Sequence, residues 1–258
     1  MNSLEECWKA SPYPSIKLSR YFAAYEELFS HLRGEACTFI ETGVLGGGSL
    51  FMWRSWLGGN ARIIGVDLNP AALKWRDHGF EIFIGDQGDP NFWHHLFRRE
   101  GIQFDALLDD GGHQAFQQIV TVNLALEHAR RKCVVVVEDT HTSFMPEYAI
   151  NHGERSFLSY AKACSDSLTA RGHVMFPGRM KEMTNGASSE LVKNVQSVQF
   201  FDSLVAFKVN PLAMLPTPVS QWNHQAEKPA DFRYKGAREA SLVWPDPYEK
   251  AQVTVRGG

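Results

Sequence analysis

Long apolar runs are missing from this chain: nothing approaches the roughly 18 apolar residues that a membrane-spanning helix needs, so no span is expected. The opening stretch, MNSLEECWKASPYPSIK, has neither the basic start nor the apolar run of a secretory leader. Cysteine is scarce. The four present (Cys7, Cys37, Cys133 and Cys164) are scattered, and two fall in runs that read as buried strands. They fit reduced core thiols of a cytoplasmic protein, not a disulfide framework or a zinc site. A basic excess is also absent. The formal net charge of −3 gives no pull toward nucleic acid or an anionic membrane surface, so neither is expected as a partner. Internal repeats and low-complexity segments are lacking. What remains is the composition of an ordinary globular chain, 258 residues with 44% hydrophobic and 21% charged, enough for one α/β domain with a full core.

The most informative stretch runs from Phe104 to Phe144 and reads as strand, helix, strand, with an acidic cluster after each strand. Phe104 to Leu108 leads into Asp109, Asp110, Gly111, Gly112 and His113. Cys133 to Val137 is an unbroken apolar run ending at Glu138 and Asp139, followed by Thr140, His141, Thr142 and Ser143. Purely apolar strands joined by a helix of this length indicate a parallel sheet buried on both faces. Neighbouring parallel strands bring both clusters to one edge, the C-terminal edge where open α/β sheets bind ligands. Carboxylates gathered there repel one another unless a positive charge sits among them, and a hard divalent cation with oxygen ligands meets that need.

Upstream, SRYFAAYEELFSHLRG predicts an amphipathic helix with Ser19 as N-cap and Gly34 as stop, its Tyr21, Phe22, Tyr25, Leu28, Phe29 and Leu32 packing on the sheet or on a partner subunit. The PSIK segment before it is a candidate flap, although no pattern requires one. Cys37 to Thr42 reads as the first strand, followed by GVLGGGS and a helix from Ser49 through Trp56. Strand, glycine turn and helix form an arrangement that suits a nucleotide or anion. The spacing is not that of the dinucleotide fingerprint, and Glu41, Gly43 and Gly47 instead match the acidic, glycine-rich first motif of S-adenosylmethionine-dependent methyltransferases. The next strand, RIIGVD, ends at Asp67, placed either to accept hydrogen bonds from ribose hydroxyls or to cap the following helix. A third, EIFIG, ends at Asp86 and Gln87, which either read an adenine amine or start a helix before Pro90. Residues 176–194 are expected to form a mobile segment near the site. Val198 to Asp202 and Leu204 to Lys208 read as a hairpin at the sheet edge.

Taken together, ETGVLGGGS, GVDLNP, GDQGD, DDGGH, EDTHTS and SVQFFDSLVAFK resemble the metal-dependent sugar O-methyltransferases of antibiotic biosynthesis. These are the macrolide-sugar and rhamnosyl enzymes, grouped with cephalosporin hydroxylase-type proteins. The likeness covers roughly residues 12–209, and DDGGH followed by EDTHTS is its specific part. It implies a Rossmann-like class I methyltransferase fold: a mostly parallel seven-stranded sheet ending in an antiparallel C-terminal hairpin. The chain then divides into a helical segment at 1–35, the methyltransferase domain at 36–210 and an irregular tail at 211–258, which either wraps the domain through aromatic anchors or is partly disordered.

By the same resemblance, Asp110, Glu138 and Asp139 match the Mg²⁺ ligands, with Mn²⁺ an acceptable substitute, and His113 matches the general base. His141 is expected to orient a ligand, contact substrate or share the base role. S-adenosylmethionine is expected against Glu41, Gly43, Gly47, Ser49, Asp67, Asp86, Gln87 and Asp109. The acceptor would be a small-molecule glycoside and the assembly a homo-oligomer. Plainer roles stand beside these: Asp109 and Asp110 as an N-cap and a solvated acid, and His113 as a cap of the helix that follows. Rival functions are a cephalosporin hydroxylase-type enzyme on the same fold and an inactive cofactor-binding subunit. Oxygen chemistry would call for histidine-rich iron ligation that these acids do not offer.

Overall fold

The computed structural model describes residues 2–148, 156–171 and 193–211, all within one unit, Met1–Pro218. The predicted mobile segment up to residue 192 and the tail from 212 lie outside the described residues.

A short helix α1 (Leu4–Lys9) starts at Ser3, whose side chain and Glu6 form a reciprocal capping box. Helix α2 (Tyr21–Phe29) begins at Arg20 without a side-chain cap, so Ser19 does not cap it, and it tightens into a 3₁₀ turn at Ser30–Leu32 before Gly34. Then come β1 (Thr38–Thr42), α3 (Gly48–Leu57), β2 (Arg62–Asp67), a 3₁₀ stretch (Pro70–His78), β3 (Glu81–Ile84) and α4 (Pro90–His94). β4 (Ala106–Asp109), α5 (Ala115–His128), β5 (Cys133–Val137), α6 (Phe157–Arg171), β6 (Val195–Phe201) and β7 (Leu204–Val209) complete the described chain.

The strands form one seven-stranded sheet in the order β3-β2-β1-β4-β5-β7-β6. The first five are parallel, while β7 runs antiparallel to both β5 and β6. This is the expected fold class. Because successive strand residues point to opposite faces, each buried strand feeds two cores. Phe39, Ile63, Leu108, Val134 and Val136 join Tyr25, Trp53 and Trp56 under α1 to α3. Ile40, Ile64, Leu107, Val135 and Val137 join Trp93, Val122 and Phe157 under α4 to α6. The apolar CVVVV run is explained by this: all five side chains are buried, alternating between two cores. No helix among the described residues is long and apolar enough to cross a membrane.

The strand order reverses between β1 and β4, the topological switch point at which such sheets open a ligand crevice beyond their carboxyl ends.

Candidate active site

At that point lies a cleft of about 560 Å³, lined among others by Gly43, Asp67, Asp86, Asp110, His113 and Asp139. Strand order fixes their sequence across it. Asp86 follows β3, Asp67 ends β2, Gly43 follows β1, Asp110 follows β4 and Asp139 lies beyond β5. With neighbouring strands about 4.8 Å apart, the row from β3 to β5 spans roughly 19 Å.

The glycine turn is shaped by close approach. Gly43 has φ +87°, and a Cβ there would lie 2.0 Å from the Asp110 carbonyl oxygen. Gly47 has φ +80° and faces the Trp75 ring, 2.3 Å from where its Cβ would be; it is absent from the cleft lining. Asp67 Oδ2 accepts from the amides of Val44 (2.9 Å) and Leu45 (3.1 Å), and Oδ1 accepts from Asn69 N (2.8 Å). Asp67 therefore braces the turn, and the cap of the next helical stretch is Asn69, which accepts from Ala71 N. A carboxylate has about four acceptor sites, so one of those on Asp67 stays available to a ligand. Asp86 is exposed at the cleft, one oxygen accepting from Gly88 N at 2.7 Å.

Besides Gly47, three expected cofactor contacts, Glu41, Ser49 and Asp109, lie off the cleft lining, and a fourth, Gln87, lines it with its side chain engaged. Asp109 is fully buried because β4 runs one residue further than the sequence suggests, pairing Asp109 with Thr42 and Val137 inside the ladder. The Gln87 amide donates to both oxygens of Asp109 (2.9 and 3.1 Å), while its carbonyl accepts from Gly112 N (2.9 Å). Although Gln87 lines part of the cleft, its side chain is committed to clamping Asp109 to the DDGGH turn. Glu41 and Ser49 are buried off the cleft, with Ser49 Oγ donating to Glu41 Oε2 at 2.7 Å and Trp53 Nε1 to Oε1 at 3.3 Å. Burial pushes the Glu41 carboxyl up to about 7, against the pull of Lys17.

The acidic edge contains a cation of the chain's own. Lys17, buried, places Nζ 2.5 Å from Asp110 Oδ2, 2.9 Å from Glu138 Oε1 and 3.7 Å from Glu41 Oε1. Burial works to lower its pKa, but Asp110, Glu138 and Glu41 outweigh that and raise it well above the ordinary value, so it stays charged. Burial and the Asp110 charge raise Glu138 despite Lys17. One ammonium thus serves three carboxyls, two of which burial pushes toward the neutral form.

Helix α2 contributes a second layer. Tyr21 and Tyr25, four residues apart, share a helix face and aim both hydroxyls at the end of β5. Tyr25 donates to Glu138 Oε1, and Tyr21 donates to Asp139 Oδ1 at 2.5 Å. Both rings are buried as expected, and their hydroxyls in addition hold the two acids that follow β5.

Among the described residues two groups bring metal-ligating atoms within 4.8 Å of one another. One is Asp110, His113 and Asp139. Glu138, the third predicted ligand, is not in it; its Oε1 is taken by Lys17 and Tyr25. His113 Nε2 lies 3.5 Å from Asp139 Oδ2, whereas Nδ1 is buried without a hydrogen-bond partner. His141 shares a 2.5 Å hydrogen bond between Nδ1 and Ser203 Oγ, and is 3.9 Å from Asp139 Oδ1. The other group is His94, Glu127 and His128, at the far end of α5. A 2.9 Å contact joins the two rings and Arg98 donates to Glu127 at 2.8 Å, which accounts for it without an ion.

Four non-glycine residues among those described have positive φ: Leu45 (45°), His113 (57°), Asp139 (53°) and Ser203 (62°). Each costs about 1–3 kcal/mol, and such strain concentrates at functional sites. Three of them line the cleft, and Ser203 holds His141.

No protein-family model matches the chain. It is 29% identical over 168 residues to an 8-demethyl-8-α-L-rhamnosyl tetracenomycin-C 2'-O-methyltransferase of Streptomyces olivaceus, covering 62% of this chain and 43% of that one. It is 33% identical over 131 residues to a tetracenomycin 3'-O-methyltransferase of the same organism that acts on the 2-methoxyrhamnosyl compound, covering 48% and 33%. The chain thus matches less than half the length of these curated relatives. In structure it resembles MycE, a methyltransferase of the mycinamycin biosynthetic pathway solved with Mg and SAH, at TM-score 0.70 and 20% identity over 95% of this chain and 60% of that one. In sequence the chain is similar to sugar O-methyltransferases of Streptomyces antibiotic pathways, and in structure it has the Rossmann-like class I methyltransferase fold.

Proposed function

We propose that this chain is a divalent-metal-dependent O-methyltransferase that moves the methyl group of S-adenosylmethionine to a sugar hydroxyl on a small natural product. The observation that carries the reading is the meeting of Asp110, His113 and Asp139 at the β4–β5 side of a cleft whose β2–β3 side presents Asp67 and Asp86. The relatives' names refer to rhamnosyl and olivosyl sugars, and MycE was solved with Mg and SAH, which supports the same pairing here.

The residues suit the cofactor. Asp67 retains an acceptor site for a ribose hydroxyl, and Asp86 offers a free carboxylate oxygen to an exocyclic amine. Ile16, Leu45 and Leu68 line the cleft with 82%, 78% and 67% of their surface exposed, apolar area that an adenosine-bearing ligand would cover. The residues also suit a metal: Asp110 and Asp139 offer oxygen donors within reach of one ion, and such donors prefer Mg²⁺ or Mn²⁺. A divalent cation supplies Lewis-acid stabilisation of negative charge there.

His113 receives the acceptor proton. With Nδ1 buried, Nε2 is the nitrogen that faces the site, and Asp139 Oδ2 at 3.5 Å stabilises the resulting imidazolium. Asp139 is itself held by Tyr21, so the base and its stabiliser keep a fixed geometry. His141, tied to Ser203, lies where it orients Asp139 or meets the acceptor. Methyl transfer then needs only proximity and in-line alignment, which the row of strand ends provides.

The test is incubation with S-adenosylmethionine, Mg²⁺ and a panel of rhamnosyl and olivosyl glycosides. A gain of about 14 Da per product, lost on chelation, is expected from replacing hydrogen by methyl. Absence of any gain across the panel would remove the acceptor class, and full turnover after exhaustive chelation would remove the metal.

A further inference from the structure

We propose that Lys17 and the divalent cation are rival occupants of one acidic pocket, so that Lys17 sets how tightly the metal is held. The proposal rests on the metal-dependent reading above. Asp110 belongs to both groups of contacts: its Oδ2 lies 2.5 Å from Lys17 Nζ, and it shares the ligand cluster with His113 and Asp139. Glu138, which the sequence resemblance casts as a ligand, instead gives Oε1 to the same ammonium and to Tyr25. Two cations at bonding distance from one carboxylate repel each other, and in a buried site water screens that repulsion poorly.

Lys17 does not arrive by chance of a loose side chain. Its segment is fastened on the N-terminal side, where Ser11 Oγ donates to the Gly48 carbonyl at 2.8 Å and Trp8 Nε1 to Ser15 Oγ at 3.0 Å. A Cβ on Gly46 would sit 2.7 Å from the Pro14 carbonyl oxygen, so the segment lies directly on the glycine turn. On the other side Tyr21 is fixed to Asp139. The ammonium is thus delivered into the pocket by structure on both flanks. The plain alternative is an ion pair that only stabilises the fold. It predicts a less stable Lys17→Met variant with nearly unchanged metal affinity.

Mn²⁺ binding followed by electron paramagnetic resonance separates the two in the intact protein. Rivalry predicts that Lys17→Met, checked for folding by circular dichroism, binds Mn²⁺ about tenfold more tightly or better, a change that removal of one adjacent buried charge readily produces. Unchanged or weaker binding in the folded variant overturns it. Should the variant not fold, the wild type answers alone. Reductive methylation of Lys17, read by peptide mass spectrometry, should rise at saturating Mn²⁺ while that of exposed Lys9 stays constant. Lys17 labelling that stays flat or falls overturns the rivalry. Mn²⁺ binding to Lys17→Met but not to the wild type would support the rivalry and refute metal dependence of the natural chain. Binding to neither would refute both.

Discussion

His113 and His141 differ in what their ring nitrogens do. His113 has one nitrogen sealed off and the other facing Asp139 across 3.5 Å, whereas His141 is engaged by Ser203 at 2.5 Å. A ring with a free nitrogen facing the cleft is the better proton acceptor, so His113→Ala should lower kcat by about 10²-fold or more, the usual worth of a general base. His141→Ala should cost less, through loosening of Asp139. Binding of S-adenosylmethionine, measured by calorimetry, should hardly change in His113→Ala, because Asp67 and Asp86 lie two and three strands away from β4. A dead His141→Ala beside an active His113→Ala would place the base on the wrong turn. The DDGGH and EDTHTS runs made both histidines visible in the sequence. What the run of letters could not convey is that His113 and Asp139 both take left-handed backbone, which turns their side chains into the same space.

At the scale of elements, α2 is the part whose function was hidden. Its periodicity identifies the buried face correctly, since Tyr21, Phe22, Tyr25, Leu28 and Phe29 are all buried, but periodicity registers rings and not hydroxyls. Tyr21→Phe keeps the ring and removes the donor to half-buried Asp139, so the fold should persist with a loss of at most about 1.5–3 kcal/mol, the range for a hydrogen bond to a charged group. Denaturant unfolding measures the loss, and kcat should fall with it; a variant equal to wild type in both would reduce the hydroxyl to packing. Strands were more legible than helices: Arg62–Asp67 and Cys133–Val137 occur where the sequence places them, because an apolar run between turn residues has few alternatives. Glu41 was misread although parity contained the answer. Two residues after Phe39, it must share that residue's face, under Trp53 and away from the cleft. Lys17 was not readable at all, since a lone lysine in a proline-flanked stretch carries no pattern. Helix α5 gives a prediction of its own at its far end. Burial lowers the His128 pKa below the usual 6.5, with Arg98, His94 and Arg130 adding to it and Glu127 opposing. The folded state therefore holds this ring neutral while the unfolded chain binds a proton. Its contribution is fully present above pH 6.5 and is lost as pH falls through the folded value. The stability difference between wild type and His128→Gln should shrink as pH drops from about 7.5 to about 5.5, and a difference that ignores pH would sink this assignment.

At the scale of the whole molecule, the cleft ties together strands that otherwise meet only through the sheet. Its lining comes from the ends of β1, β2, β3, β4 and β5 and from the segment carrying Ile16. A ligand filling it contacts parts of the chain far apart in sequence, and those parts converge only in the folded state. Ligand binding must therefore stabilise folding by linkage, with about 2.7 kcal/mol expected at a ligand concentration of 100 times Kd. For a chain of this size each kcal/mol moves the midpoint by roughly 2–4 °C, so S-adenosylhomocysteine at that excess should raise Tm by about 5–11 °C. NAD at the same concentration should leave Tm where it was. The glycine spacing of the turn after β1 is not that of the dinucleotide fingerprint, so no pyrophosphate cradle is expected there. Asp67→Ala should shrink the shift in particular, because it removes the open acceptor site and also releases the Val44 and Leu45 amides that shape the turn. Asp86→Ala, whose carboxylate holds only the adjacent Gly88 amide, should shrink it while leaving the Tm of the free protein nearly unchanged. A scan in which NAD stabilises the protein and S-adenosylhomocysteine does not would overturn the cofactor assignment while leaving the fold intact.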